Sequence, residues 1–383
     1  MTLERPVAAL VGGAGVSTCT APAASVAEKV AFLSRPDAYP HRADEVVVRE
    51  THMSWVFLAG PRVYKLKKPV RFPYLDFSTL AKREKVCRAE VKLNRRLASD
   101  VYRGVTPLVL SEQGFAIGGQ GEIVDWLVVM NRLDDSQMLD NVIRERRLHR
   151  WQLDRLVEVL LRFYRRAKPV LIAPAAHLAE LHRGLAYNRR VLLDPRLGLP
   201  SGLVRHIDAV QRRFVTERAG LLAERVRRRW IVDGHGDLRA EHIYLGDPVR
   251  IIDCLEFNAR LRMVDPFDEI AFLCLECERL GAAWAGEYLR RRIARMLHDG
   301  HCDELFIFYR CYRAMLRARL SIAHLLEANP RTPDKWAPLA RSYLRLAAAD
   351  SVRLENALRK PKDRLAYRRH EAGECTRRAE VRP

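Results

Sequence analysis

The chain has 383 residues and a mass of 44.1 kDa, and its 48% hydrophobic content is enough for one large core or two medium ones. Its formal net charge is +20, yet no run approaches the roughly 18 uninterrupted apolar residues of a membrane span, so a helical membrane protein is excluded. The eight cysteines, at 19, 87, 254, 274, 277, 302, 311 and 375, have no framework spacing, which excludes a disulfide scaffold and fits a reduced, cytoplasmic compartment.

The first 24 residues are read as a disordered or loosely docked tail, because Glu4 pairs with Arg5 and Gly, Thr and Pro break the apolar middle that a signal peptide needs. A short helix is expected over 25–33, followed by strands over 45–50, 53–58 and 62–67, the last two joined at Gly60-Pro61. In the third strand Lys65 and Lys67 share the face opposite Tyr64 and Leu66. A helix over 76–98, capped by Asp76 or Ser78, has Glu84 and Glu90 as its interior acids. Strands over 106–111, 115–118 and 123–133 complete a small antiparallel sheet, and Asp134-Asp135-Ser136 marks a hinge. Helices then dominate: 137–147, 150–167, 175–192, 201–229, 267–280, 284–298, 303–326 and 334–357, with a charged tail over 360–383. Cys274-Leu275-Glu276-Cys277, with His298, His301 and Cys302 further on, has the spacing of half a metal site, but its apolar helical setting favours core packing.

The charge is uneven. Residues 1–136 carry 19 Lys and Arg against 15 Asp and Glu, so most of the excess belongs to the C-terminal part. Its arginine clusters, such as 225–229, lack interleaved aromatics and read as solvated helix faces, with nucleic-acid association as the alternative.

Between the helices lies the stretch that carries chemistry, IVDGHGDLRAEHIYLGDPVRIIDCLEFNARLRMVDPFDEIAFL, residues 231–273. His235-Gly236-Asp237-Leu238-Arg239 puts a carboxylate in a tight turn, and Ile251-Ile252-Asp253 ends an apolar run on an acid, which presents that acid to a cleft because burying it unpaired costs several kcal/mol. A hairpin at Gly246-Asp247-Pro248 brings the two acids into one small volume, the arrangement phosphoryl transfer requires.

These residues resemble the catalytic core of the aminoglycoside phosphotransferase and choline-kinase-like family, and Asp265-Pro266-Phe267-Asp268-Glu269-Ile270-Ala271 resembles its helix-opening segment. HGDLRAEHIYL with IDCLEFN is similar to a bacterial subgroup often fused to a P-loop ATPase domain; without G-x-x-x-x-G-K-[ST] in the 383 residues, the stand-alone form is expected. The resemblance implies an α+β, two-lobed protein-kinase-like fold: a sheet-bearing lobe over 25–133 and a larger helical catalytic lobe over 134–359. It implies an ATP-dependent kinase with Mg2+, in which Asp237 orients the acceptor hydroxyl, Arg239 meets the transferring phosphate and Asp253 holds the metal. Lys65 stands where the family's strand lysine meets the α- and β-phosphates, and Glu90 is its helix partner; Lys67 and Lys68 read as solvated.

Two departures stand out. Where protein kinases have a glycine-rich loop, this chain has Glu50-Thr51-His52-Met53-Ser54, leaving Thr51 and Ser54 to make phosphate contacts. Where the family places a metal-binding asparagine there is His242, so Glu241 or Glu256 replaces it, or one metal is held, or Mn2+ is preferred, or catalysis is weak. The expected function is phosphate transfer to a hydroxyl of a small molecule other than an aminoglycoside. A nucleotide-binding pseudokinase scaffold and a basic nucleic-acid-associated protein are the alternatives.

Overall fold

The computed structural model describes residues 24–297 apart from 42 and 73, then 303–327, 330 and 332–359. The tails expected over 1–24 and 360–383 lie outside it but for residue 24, as do Cys19, His298, His301, Cys302 and Cys375.

The chain opens with α1 (Val26–Leu33), capped by Ser25, whose hydroxyl accepts the Glu28 amide while Glu28 reaches back to the Ser25 amide. Strands β1 (Val46–Glu50), β2 (Ser54–Ala59) and β3 (Arg62–Lys67) follow, then a two-stranded ribbon of β4 (Arg71–Phe72) and β5 (Leu75–Asp76), helix α2 (Leu80–Asn94), and strands β6 (Tyr102–Ser111), β7 (Gly114–Ile117) and β8 (Glu122–Asn131). The six longer strands form one antiparallel sheet in the order β1-β2-β3-β8-β6-β7. Period-two alternation sorts β3: Tyr64 and Leu66 join Leu33 and Phe57 on the α1 side, whereas Lys65 and Lys67 face α2 with its Cys87 and Val91. Helix α2 starts later than expected. Asp76 and Ser78 form a separate turn in which Asp76 accepts the Ser78 amide, and Thr79 is the cap, accepting the Lys82 amide at 3.3 Å.

The rest is mainly helical: α3 (Leu139–Arg144), α4 (Arg150–Arg166), α5 (Pro174–Leu192), α6 (Ser201–Glu217) and α7 (Ala219–Arg227), and after the catalytic stretch α8 (Pro266–Arg279), α9 (Ala283–Met296), α10 (Asp303–Ala323) and α11 (Pro333–Arg359). The single helix expected over 201–229 is two. Arg218 leaves helical geometry (φ −112°, ψ 21°) to pair with Glu304, and the redirected α7 delivers Arg225 to Asp265. Residues 137–147 shorten to α3 because Arg146 adopts a positive φ of 56°. Helix α8 is central, with every residue from Pro266 to Cys277 buried. Cys274 and Cys277 lie in the large core with burial raising both thiol pKa values, so the C-x-x-C is packing. The architecture is thus two-lobed α+β, and among the described residues no helix is long and apolar enough to cross a membrane.

Candidate active site

Short strand β9 (Val232–Asp233), paired with β12 (Met263–Val264), leads into the His-Gly-Asp turn; β10 (Ile243–Tyr244) and β11 (Arg250–Ile251) form the following hairpin. Gly236 has φ +89°, and a Cβ there would meet the Leu261 carbonyl oxygen at 2.9 Å, so the turn requires glycine. Glu269, from α8, gathers the turn: its carboxylate accepts the His235 and Gly236 amides and the Tyr164 hydroxyl. Burial pushes Glu269 above the ordinary carboxylate range despite these donors.

His235 is buried and uses both ring nitrogens. Nε2 lies 2.9 Å from the Ile252 carbonyl, to which it donates, and Nδ1 accepts the Asp237 amide at 3.3 Å. That pattern assigns the neutral Nε2–H tautomer, and it ties the Asp237 turn to the residue preceding Asp253. Burial, with His242 nearby, lowers its pKa to about 4. Because the unfolded chain takes up this proton near pH 6.5 and the folded chain only near 4, His235 contributes stability above about pH 6.5 that drains away toward pH 4. The melting temperature is expected to fall across that window, and His235→Asn to flatten the fall. An unchanged slope in the variant would show that other groups carry it.

Asp237 and Asp253 converge as expected, with His242 between them. His242 Nδ1 donates to the Asp237 carbonyl at 2.9 Å, which turns Nε2 toward Asp253 Oδ2, 3.6 Å away. Among the described residues the Asp237 carboxylate makes only long ion contacts, at 3.8 Å to His242 and 3.9 Å to Arg239. Burial opposes its ionisation, but Arg239, His242 and Arg317 hold its pKa below the ordinary value, so it is an anion at neutral pH. Arg239 pairs with both Asp237 and exposed Glu241. Asp253 has a φ of 63°, a left-handed conformation that aspartate tolerates better than most residues, and its amide donates to the Tyr102 hydroxyl at 3.1 Å. Its side chain is 44% exposed.

Lys65 sits at the centre of the charges, 2.9 Å from Glu90 and 2.8 Å from Asp253. Burial alone would discharge it, but Asp253, Glu90 and Glu256 hold its pKa well above the ordinary value. Lys67 and Lys68 are not solvated. Lys67 is 2% exposed, held between Glu90 and Glu256, and Lys68 is buried against Glu50 and the Trp55 ring. Glu256 is thereby claimed by Lys67, which sets it apart from the metal-ligand role expected of it, and burial raises its pKa. The donors that do face one another are Asp253 Oδ2 and His242 Nε2, with Glu241 Oε1 3.8 Å from the latter. One carboxylate and one imidazole at 3.6 Å fit a single divalent ion at bonds of about 2.1 Å.

The β1–β2 turn closes on itself: the Thr51 amide donates to the Ser54 carbonyl and the Ser54 amide to the Thr51 hydroxyl, and Ser54 is buried. Neither amide therefore stands ready for a phosphate. Residues that fasten the site escaped the sequence reading. Asn94 accepts the Cys254 amide at 2.8 Å, and Arg96 donates to the Asp233 and Gly234 carbonyls. Their only signal was their place at the C-terminus of α2. Beside Glu256 a cleft of about 810 Å³ is lined in part by Arg71, Tyr74, Lys82, Lys85 and Phe257.

No family model matches the chain. Proteins of Mycobacterium bovis and Mycobacterium tuberculosis, described only as uncharacterized, are 35% identical over 322 residues, 83% of this chain and 60% of theirs. The chain thus spans about 60% of the length of these relatives. Among solved structures, a GDP complex of an aminoglycoside 2'-phosphotransferase mutant superposes with a TM-score of 0.51 at 14% identity, over 85% of this chain and 98% of that one. A choline/ethanolamine kinase family protein from Mesorhizobium loti gives 0.47 at 16% identity, over 88% and 96%.

Proposed function

We propose that this chain, which has the two-lobed protein-kinase-like fold of the aminoglycoside phosphotransferases and choline kinases, transfers the γ-phosphate of ATP to a hydroxyl of a small molecule. The observation that carries the reading is the convergence of an ionised, weakly contacted Asp237 with Asp253 and the Lys65–Glu90 pair. Asp237 accepts the acceptor's hydroxyl proton as the oxygen attacks, and Arg239, fixed beside it, meets the charge of the moving phosphate. Lys65 exchanges its Asp253 contact for the nucleotide's α- and β-phosphates while keeping Glu90. Asp253 and His242 would hold a divalent ion, which would supply charge neutralisation at the phosphates. The GDP held by the solved structure of the same fold supports a purine nucleotide as donor. The end of β8 at Asn131 supports a lobe boundary near 130–136, and reduced, buried Cys87, Cys254 and Cys311 support a cytoplasmic setting.

The acceptor is neutral or anionic. A polycationic aminoglycoside needs free carboxylates, yet in the cleft beside the site Asp76 is paired with Lys82 and Glu256 with Lys67, while Arg71 and Lys85 add positive charge. A panel of hydroxylated metabolites and aminoglycosides, assayed for ATP-dependent phosphorylation, tests this; efficient turnover of kanamycin-like compounds overturns the acceptor assignment. Nucleotide binding without transfer to any acceptor points to a pseudokinase. Absence of nucleotide-induced thermal stabilisation discards both, and steep salt-dependent retention on DNA or RNA promotes the third reading.

The metal site gives its own expectation. Because imidazole nitrogen serves Mg2+ poorly, Mn2+ is expected to support faster transfer, and His242→Asn to narrow the Mn2+/Mg2+ rate ratio. An identical ratio in the variant removes His242 from the metal's ligands.

A further inference from the structure

Outside the catalytic centre, the β1–β2 turn touches the helical lobe through His52. Its Nδ1 lies 3.4 Å from Glu327 Oε1, and His324 Nδ1 reaches the same oxygen at 2.7 Å. The candidate ligand atoms of these three residues lie within 4.8 Å of one another, and among the described residues no other group of three His, Cys, Asp or Glu does so. His324 and Glu327 are three apart at the end of α10, so one turn of chain presents both, and His52 comes from the opposite lobe. Stacking holds the rings in place: His324 lies on Trp336 at 4.0 Å, His52 on Phe72 at 4.7 Å, and Phe72 on Tyr74 at 5.7 Å.

The geometry points to a zinc site made by His52, His324 and Glu327 that clasps the β1–β2 turn to the end of α10. Two imidazoles and a carboxylate are the borderline-soft set that Zn2+ prefers over Mg2+ or Ca2+. Ligand atoms in a tetrahedral zinc site stand roughly 3.3 Å apart. The His52–Glu327 separation already matches, the His324–Glu327 contact has to open from hydrogen-bond length, and the ligand atoms of His52 and His324 lie within 4.8 Å of each other. All three side chains are between a quarter and two-fifths exposed, which leaves an entry path and a fourth position for water. Because the ligands come from both lobes, a bound ion ties the β1–β2 turn to the segment that follows α10. This is separate from phosphate transfer and from the Asp253–His242 pair.

The test is Zn2+ titration of the full chain, stripped with a chelator, against a chromophoric competitor, with melting temperature followed in parallel. One Zn2+ per chain is expected, with a rise in melting temperature. Loss of an outer-shell partner alone weakens metal sites by about 10- to 100-fold, so His52→Ala and His324→Ala should each weaken binding by about a hundredfold or more and abolish the thermal shift. His242→Asn should retain the tight zinc, which separates this site from the catalytic ion. Failure of the wild-type chain to take up one tight equivalent overturns the proposal, as does undiminished binding in a folded His52→Ala/His324→Ala double variant, since the zinc would then sit elsewhere.

Discussion

Replacing Asp237 with asparagine is expected to cut phosphate transfer by about a hundredfold or more while leaving nucleotide affinity nearly unchanged. Among the described residues the carboxylate accepts no close hydrogen bond and takes no part in the Lys65–Glu90–Asp253 cluster, so its loss removes a proton acceptor and two long ion contacts. The substituted side chain keeps the shape of the original, and the bond to His235 that sets the turn comes from the backbone amide. Asp253→Asn should behave differently. It removes a charge that partners Lys65 and faces His242, so metal-dependent nucleotide binding itself should weaken. Steady-state kinetics beside calorimetric nucleotide binding separates the two; equal loss of binding in both variants would mean that the acids serve the fold alone.

The largest expected effect on stability comes from Arg313, in α10. Its guanidinium makes two bonds to Asp268, at 2.7 and 2.6 Å, in the first turn of α8, and both groups are buried. Arg313→Ala strands a carboxylate in the core one residue before Glu269, and breaking such a pair from one side costs about 3–5 kcal/mol. Replacing both partners with apolar residues of similar size, Asp268→Leu with Arg313→Met, should recover much of that loss, since two charges no longer need desolvating. Urea unfolding of the single and double variants measures the difference. A loss below about 1 kcal/mol in Arg313→Ala would mean that water reaches Asp268.

Most of the layout was legible because it rests on short-range patterns. Alternation set Lys65 on the face of β3 opposite Tyr64 and Leu66, the face that packs against α2, and the hairpin around Gly246-Asp247-Pro248 brought Asp237 and Asp253 together. Lys67 and Glu256 were not legible. They are 189 positions apart, and nothing local distinguishes a lysine that snorkels to water from one sealed between two glutamates. The break in the helix expected over 201–229 was hidden for the same reason: its cause is Glu304, on another helix, drawing Arg218 aside. Glu269 was read as part of a helix-opening segment, but its duty toward the His235 and Gly236 amides appears only once α8 is packed behind the turn.

The pairing of Glu90 with two lysines bears on how this molecule can be regulated. Many kinases are switched off by swinging the glutamate-bearing helix outward, which breaks one ion pair at the cleft. Here the same excursion of α2 would break two ion pairs at once, Glu90 with Lys65 and Glu90 with Lys67, and take a buried carboxylate away from both lysines. Even when Lys65 turns toward a phosphate, Lys67 keeps its hold on Glu90. Helix α2 is therefore tied to the sheet at two points through one carboxylate, and swinging it outward would cost more than the single pair such a movement usually breaks.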